Sequence, residues 1–141
     1  MIVIAAALAA ALQAAPAEWT WTLYDGSSVV LANEVPDTPQ LRATLECEAG
    51  AGVARITAYG AGPGAAFASV VSGPATASAE VQPTRGNTAR TAVTLPVSHP
   101  VFAAFIENGT MVIRTGARSD TVTVQRDHLI KLRQFAQMCG G

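Results

Sequence analysis

The sequence predicts a mainly β domain, an antiparallel β-sandwich or sheet with two short helices in its C-terminal half. Three observations carry this. Only 13% of residues are charged while Ala, Thr, Val, Gly and Pro are plentiful, which suits short strands and turns better than a helical bundle. Segments such as Glu18–Tyr24 and Leu41–Glu48 alternate apolar and polar residues with the period of a strand. From Ser98 onward the apolar spacing twice becomes that of a helix.

Residues 1–17 come first. They carry no charged side chain, nine of the seventeen are alanine, and the apolar run Ile2–Leu12 has the length of a signal-peptide core. Ala15 and Ala17 stand three and one places before a cut after Ala17, where signal peptidase takes small residues. No Lys or Arg follows Met1, so either the α-amino group supplies the positive end or the start lies upstream. A buried N-terminal helix of the domain is the plainer alternative. A retained membrane span is disfavoured, because spanning takes about twenty strongly apolar residues and alanine contributes little. The expectation is a periplasmic or secreted protein shortened by about seventeen residues on export. Residues 18–141 then form a single β-rich domain with no stable membrane anchor.

The first strand, Glu18–Tyr24, places Trp19, Trp21 and Leu23 on one face. Asp25-Gly26 has the chemistry of a two-residue hairpin turn, which would set Trp21 opposite Val30 and Trp19 opposite Ala32. The two tryptophans read as core, with a ligand platform for a sugar or peptide as the alternative. Pro36 and Pro39 mark Asn33–Gln40 as a loop. The strand Leu41–Glu48 puts Leu41, Ala43, Leu45 and Cys47 inward and Arg42, Thr44, Glu46 and Glu48 outward. A turn at Ala49–Gly52 leads into the strand Val53–Tyr59. The glycine-rich stretch Gly60–Gly64 lacks the spacing and the lysine of a phosphate loop and reads as a turn. Small-residue strands follow near Ala66–Ser72, Ala75–Gln82 and Thr88–Leu95, separated by Gly73-Pro74 and Pro83–Asn87.

Ser98 is placed to cap a helix starting at His99-Pro100, whose Val101, Phe102, Phe105 and Ile106 form one stripe and which Gly109 ends. Strands Thr110–Thr115 and Asp120–Gln125 follow, joined by Gly116–Ser119. Asp127 is placed to cap a last helix with Leu129, Leu132, Ala136 and Cys139 at helical spacing, supported by Ile130 and Phe135, and Gly140-Gly141 ends it.

Cys47 and Cys139 are the only cysteines, and an even pair in a small exported domain reads as a disulfide. A catalytic cysteine would need His99 or His128 beside it, and a metal site would need closely spaced ligands, whereas CxxC, HxxH and HxxxH are all missing. No GxSxG, HExxH or calcium-loop motif occurs either. No catalytic residue, metal ligand or cofactor is therefore expected. Nine basic against ten acidic residues leave no field that favours nucleic acid. Glu46 and Glu48 share an outward strand face, where paired carboxylates do glycosidase chemistry only if a cleft forms around them. Asn108-Gly109-Thr110 matches a glycosylation acceptor, but the helix stop accounts for it better.

The order of a leader, a Trp-containing first strand, an LEC strand, the helix VFAAFIENG, two strands and the last helix LIKLRQFAQMC resembles small exported two-cysteine domains of Gram-negative bacteria. Among such domains the layout resembles that of the invasion-associated locus B-like proteins. The resemblance covers most of residues 18–141 as spacing and pattern, and it implies an envelope β-sandwich with interaction or accessory roles. It carries over no functional residue. The expected function is a non-enzymatic binding or envelope accessory module whose partner is an envelope protein, peptide or glycan. The alternative is a small cell-wall hydrolase, with a cleft holding two of His99, Glu107, Asp120 or His128, or a hydrolase inhibitor presenting Asn33–Gln40 or Ala61–Ala66. A redox role for the cysteines would require an exposed or strained bond.

Overall fold

A computed structural model describes residues 18–60, 62, 65–83 and 89–140. The predicted leader, Ala61, Pro63 and Gly64 of the glycine-rich turn, residues 84–88 and Gly141 lie outside the described residues. The described residues form nine strands and two α-helices: β1 Thr20–Tyr24, β2 Ser28–Glu34, β3 Leu41–Glu48, β4 Val53–Tyr59, β5 Phe67–Ser72, β6 Ala75–Glu80, β7 Arg90–Pro96, α1 Pro100–Asn108, β8 Thr110–Thr115, β9 Arg118–Thr123 and α2 Leu129–Cys139.

Two antiparallel sheets result, one ordered β1-β2-β3-β4-β7 and the other β6-β5-β8-β9. Past β6 the chain crosses from the second sheet to the first. Val81 bridges to Val93 on β7, and the Gln82 N–H donates to the Ala92 carbonyl at 2.8 Å. The inner faces carry Trp21, Val29, Leu31, Leu45, Ile56, Val70, Val93, Met111 and Ile113, all essentially excluded from solvent. Each lies in the alternating register that sends one side of a strand to the core.

The helices complete that core. α1 packs on β5 and β6, α2 packs on β1 and β2, and the helices touch each other. Phe102 and Phe105 stack with ring centroids 6.1 Å apart, and Phe102 reaches Phe135 of α2 at 6.4 Å. Such aromatic contacts add to the stabilisation from apolar burial. On α2 the buried face is Leu132, Phe135 and Cys139, and Ile130, expected to support it, points to solvent at 58% exposure. Ile130 lies two residues before Leu132, about 200° round the helix, so the two cannot share a face.

Both predicted helix caps are corrected. His99, not Ser98, is the N-cap of α1, its Nδ1 accepting the Val101 N–H at 3.0 Å. Ahead of α2, residues Arg126–His128 form a 3-10 turn and Asp127 makes no capping hydrogen bond. The first hairpin is corrected too. Trp21 faces Asn33, and Tyr24 faces Val30, a shift of three residues from the two-residue turn. The buried Trp21 donates Nε1–H to the Thr123 carbonyl at 3.0 Å, and Lys131 Nζ donates to the Trp21 carbonyl at 2.6 Å. Edge strand β1 is thereby tied to the end of β9 and to α2. The β8–β9 turn is shorter than expected, since Thr115 pairs with Arg118 and only Gly116-Ala117 intervene.

Cys47 and Cys139 form a disulfide between β3 and the end of α2, with Cα atoms 5.8 Å apart. Beside it, the β3–β4 turn closes the helix end. The Gly50 N–H donates to the Met138 carbonyl at 2.9 Å and the Gly52 N–H to the Cys139 carbonyl at 2.6 Å. These are carbonyls that a helix end leaves without intrahelical partners.

Candidate functional site

Of the residues singled out in the sequence, Glu46, Cys47 and Glu48 line one cleft, and His99, Glu107, Asp120 and His128 do not join them there. Both cysteines are buried, Cys139 wholly, and Cys47 borders the larger cleft described below. His99 is occupied as a helix cap. His128 stands 3.2 Å from Lys131 Nζ and 3.7 Å from a carboxylate oxygen of Asp127. Asp120 lies beside Arg118 at 3.8 Å, and Arg118 in turn donates to the Gly62 carbonyl. The three clefts described below are lined by none of His99, Glu107, Asp120 or His128. Among the described residues no three His, Cys, Asp or Glu side chains gather as a metal site, and no helix is long and apolar enough to cross a membrane.

Other sequence features resolve as local structure. Asn108 Oδ1 accepts the Thr110 N–H at 2.7 Å and its Nδ2 donates to Ser72 Oγ at 3.2 Å, so the amide of the acceptor triplet closes the helix. The loop between β2 and β3 folds on itself. Thr38 Oγ1 donates to the Val35 carbonyl at 2.7 Å, and Asp37 takes a positive φ of 62°. A register shift at Asn33/Glu34 interrupts the alternation at the start of β3. There Arg42 stacks over Trp19 at 4.0 Å and lines a cleft with Trp21, Asn33 and residues 121–123.

What the fold does assemble is the outer face of the five-stranded sheet. Thr22, Ala32, Thr44, Thr57 and Ala92 fall opposite one another across all five strands. Strand spacing gives this row a length of about 19 Å. The last four are at most 6% exposed although they point away from the core, because taller neighbours stand on both sides. One side is the row Tyr24, Val30, Glu46, Arg55 and Thr94, joined by Gln82, whose Nε2 donates to Thr94 Oγ1 at 3.1 Å. The other side includes Glu34 and the facing pair Tyr59 and Arg90. The result is a shallow trough with short side chains on its floor and charged or aromatic ones along its rims.

At the β1 end the Tyr24 hydroxyl reaches over Ala32 to donate to Glu34 Oε1. The Tyr24 pKa is raised above its ordinary value, chiefly because this hydrogen bond holds the phenol proton, with desolvation and the Glu34 charge adding. The folded protein therefore holds this proton to higher pH than the unfolded chain. The associated stability is full below the ordinary phenol pKa of about 10 and is lost as pH rises through the folded value. In a Tyr59→Phe background, absorbance titration is expected to place Tyr24 above ordinary tyrosine, and Glu34→Gln to bring it back down. An unchanged titration in Glu34→Gln would show that the bond does not hold the proton.

At the β4–β7 end the trough deepens into two adjoining clefts. One, of about 310 Å³, is lined by Ser28, Glu46, Glu48, Arg55, Gln82 and Thr94 among others. The other, of about 90 Å³, lies over Thr57 and Ala92 between Glu46, Arg55, Tyr59, Gln82, Pro83 and Arg90. Arg55 Nη2 pairs with Glu46 Oε2 at 2.8 Å, and Ser28 Oγ donates to Glu48 Oε1 at 3.4 Å. The larger cleft thus brings Glu46 and Glu48 together, Glu46 paired with Arg55 and Glu48 hydrogen-bonded by Ser28. Sequence reasoning placed Glu46 on this face but missed Arg55, Tyr59, Gln82 and Arg90, which only strand order brings together. Searches of the chain against protein-family models, curated proteins and solved structures find no match.

Proposed function

We propose that this protein is an exported, non-enzymatic binding module of the cell envelope that presents the outer face of its five-stranded sheet to a partner. The carrying observation is the trough itself, a solvent-facing row of short side chains across five strands, rimmed by groups able to hydrogen-bond and to pair charges. A concave surface with a few convergent polar groups is where ligands bind. The disulfide supports an oxidising compartment, in keeping with the leader-like residues 1–17. In this reading the scaffold is held by the crosslink and α2, and the exposed face is left for recognition, its partner an envelope protein, peptide or glycan.

The test is site-specific photocrosslinking in intact envelopes, with a benzophenone side chain at Thr94 on the trough rim or at Ser78 on the second sheet. The expected result is a light-dependent adduct from position 94 and none from position 78. No adduct from position 94 overturns the reading. So does turnover of a cell-wall or peptide substrate by purified protein that a single substitution abolishes.

A further inference from the structure

The smaller of the two adjoining clefts has a charge character that the rest of the face lacks. Arg55 and Arg90 approach it from opposite sides of the Thr57–Ala92 floor, and Glu46 is its only acidic lining residue. Arg55 spends one nitrogen on Glu46, and a guanidinium carries five N–H donors, so several remain. Among the described residues Arg90 has neither an acidic nor a hydrogen-bonded partner, and the Tyr59 hydroxyl has none either. Gln82 is fixed through Nε2 on Thr94, which leaves its carbonyl oxygen free. Two cations against one anion leave the cleft with a surplus positive charge, in a protein whose overall charge is −1.

We propose that this cleft binds the anionic group, carboxylate or phosphate, of a small hydroxylated molecule. The proposal rests on the binding-module reading and names the ligand chemistry for the same face. Arginine forks match the paired oxygens of carboxylate and phosphate, and charge-assisted hydrogen bonds of this kind are the strong ones. The volume of about 90 Å³ is under a third of that of the adjoining cleft, which suits a single acid group better than a whole sugar. The body of the ligand extends into the larger cleft of about 310 Å³, where Glu48, Ser28, Thr94 and Gln82 offer hydrogen-bonding partners to hydroxyl groups. A sugar acid or sugar phosphate has this shape, with an acid group at one end and hydroxyls along the rest.

The experiment is amide NMR titration of the full exported chain with glucuronate, glucose 6-phosphate and glucose. The two anions share a hexose body with glucose and differ in the acid group. Glucuronate, glucose 6-phosphate or both are expected to shift the amides of Thr57, Tyr59, Arg90 and Ala92 saturably, and glucose is not. Which anion binds more tightly identifies the acid group. Arg90→Gln and Arg55→Gln are each expected to weaken binding about tenfold. Arg133→Gln on α2 is expected to leave it unchanged. Both cleft arginines are on the surface, so unaltered spectra away from the cleft report that the variants fold. Failure of both anions to bind, equal binding of glucose, or full affinity in Arg90→Gln overturns the proposal. If position 94 crosslinks a partner while neither anion binds, the anion assignment alone falls. If an anion binds but position 94 captures nothing, the macromolecular partner alone falls.

Discussion

Replacing both cysteines with serine is expected to destabilise the protein by about 4–5 kcal/mol, following the loop-entropy relation for a crosslink of this span. The crosslink joins residues 92 apart in sequence, so the loop it closes in the unfolded chain takes in most of the domain. Its removal frees that loop in the unfolded ensemble while leaving the folded contacts of the tail in place. Leu132 and Phe135 stay buried, and the Gly50 and Gly52 amides still meet the last carbonyls of α2. The variant should therefore fold at 20 °C with an unchanged far-ultraviolet spectrum, yet melt roughly 10–20 °C lower, given the usual slope for domains of this size. Thermal and urea unfolding of the double variant against the oxidised parent measure both. A loss under about 1 kcal/mol would contradict this account, since it would require the unfolded chain to keep β3 and the tail together without the bond.

The parts of the fold legible in the sequence are those where local pattern and tertiary demand agree. β3 and β4 begin and end where alternation and flanking turns place them, because the turn at Ala49–Gly52 carries glycines with φ of 74° and 76° at residues 50 and 52. The first hairpin is different. Val29, Val30, Leu31 and Ala32 are apolar on both faces, so a slip of three residues costs the pattern nothing and the register is left undetermined. Tertiary contacts decide it instead. Val29 and Leu31 enter the core beside Trp21, and Val30 turns to the trough. Thr44 was readable as an outward-facing residue, but its burial and that of its partner Thr57 were not, since they arise from neighbours on other strands. The same limit hid the cleft. Arg55 and Arg90 are thirty-five residues apart in sequence, and only the pairing of β4 with β7, together with the crossing of the chain at Val81, sets them around one hollow.

Gly109→Ala is expected to cost roughly 3–5 kcal/mol, from left-handed backbone strain together with overpacking. Gly109 ends α1 at φ 76° and ψ 7°, its N–H donating to the Phe105 carbonyl at 2.7 Å. Its carbonyl accepts the Val124 N–H, also at 2.7 Å, so the residue is gripped from both sides. A Cβ built there overlaps the Val124 carbonyl oxygen and stands 3.0 Å from Leu129 Cδ2. The first obstacle is backbone that cannot rotate aside, and Val124 is itself buried in the core. Gly50→Ala separates the two contributions. It has nearly the same φ, 74°, with nothing within 4 Å of the added carbon, and its N–H bond to α2 survives. That variant should lose only the conformational part, about 1–2 kcal/mol. Urea unfolding of the two variants side by side is the measurement. Equal losses would mean that the segment after β9 yields to the methyl group, and that the tight approach of Gly109 to Val124 contributes nothing to the requirement for glycine.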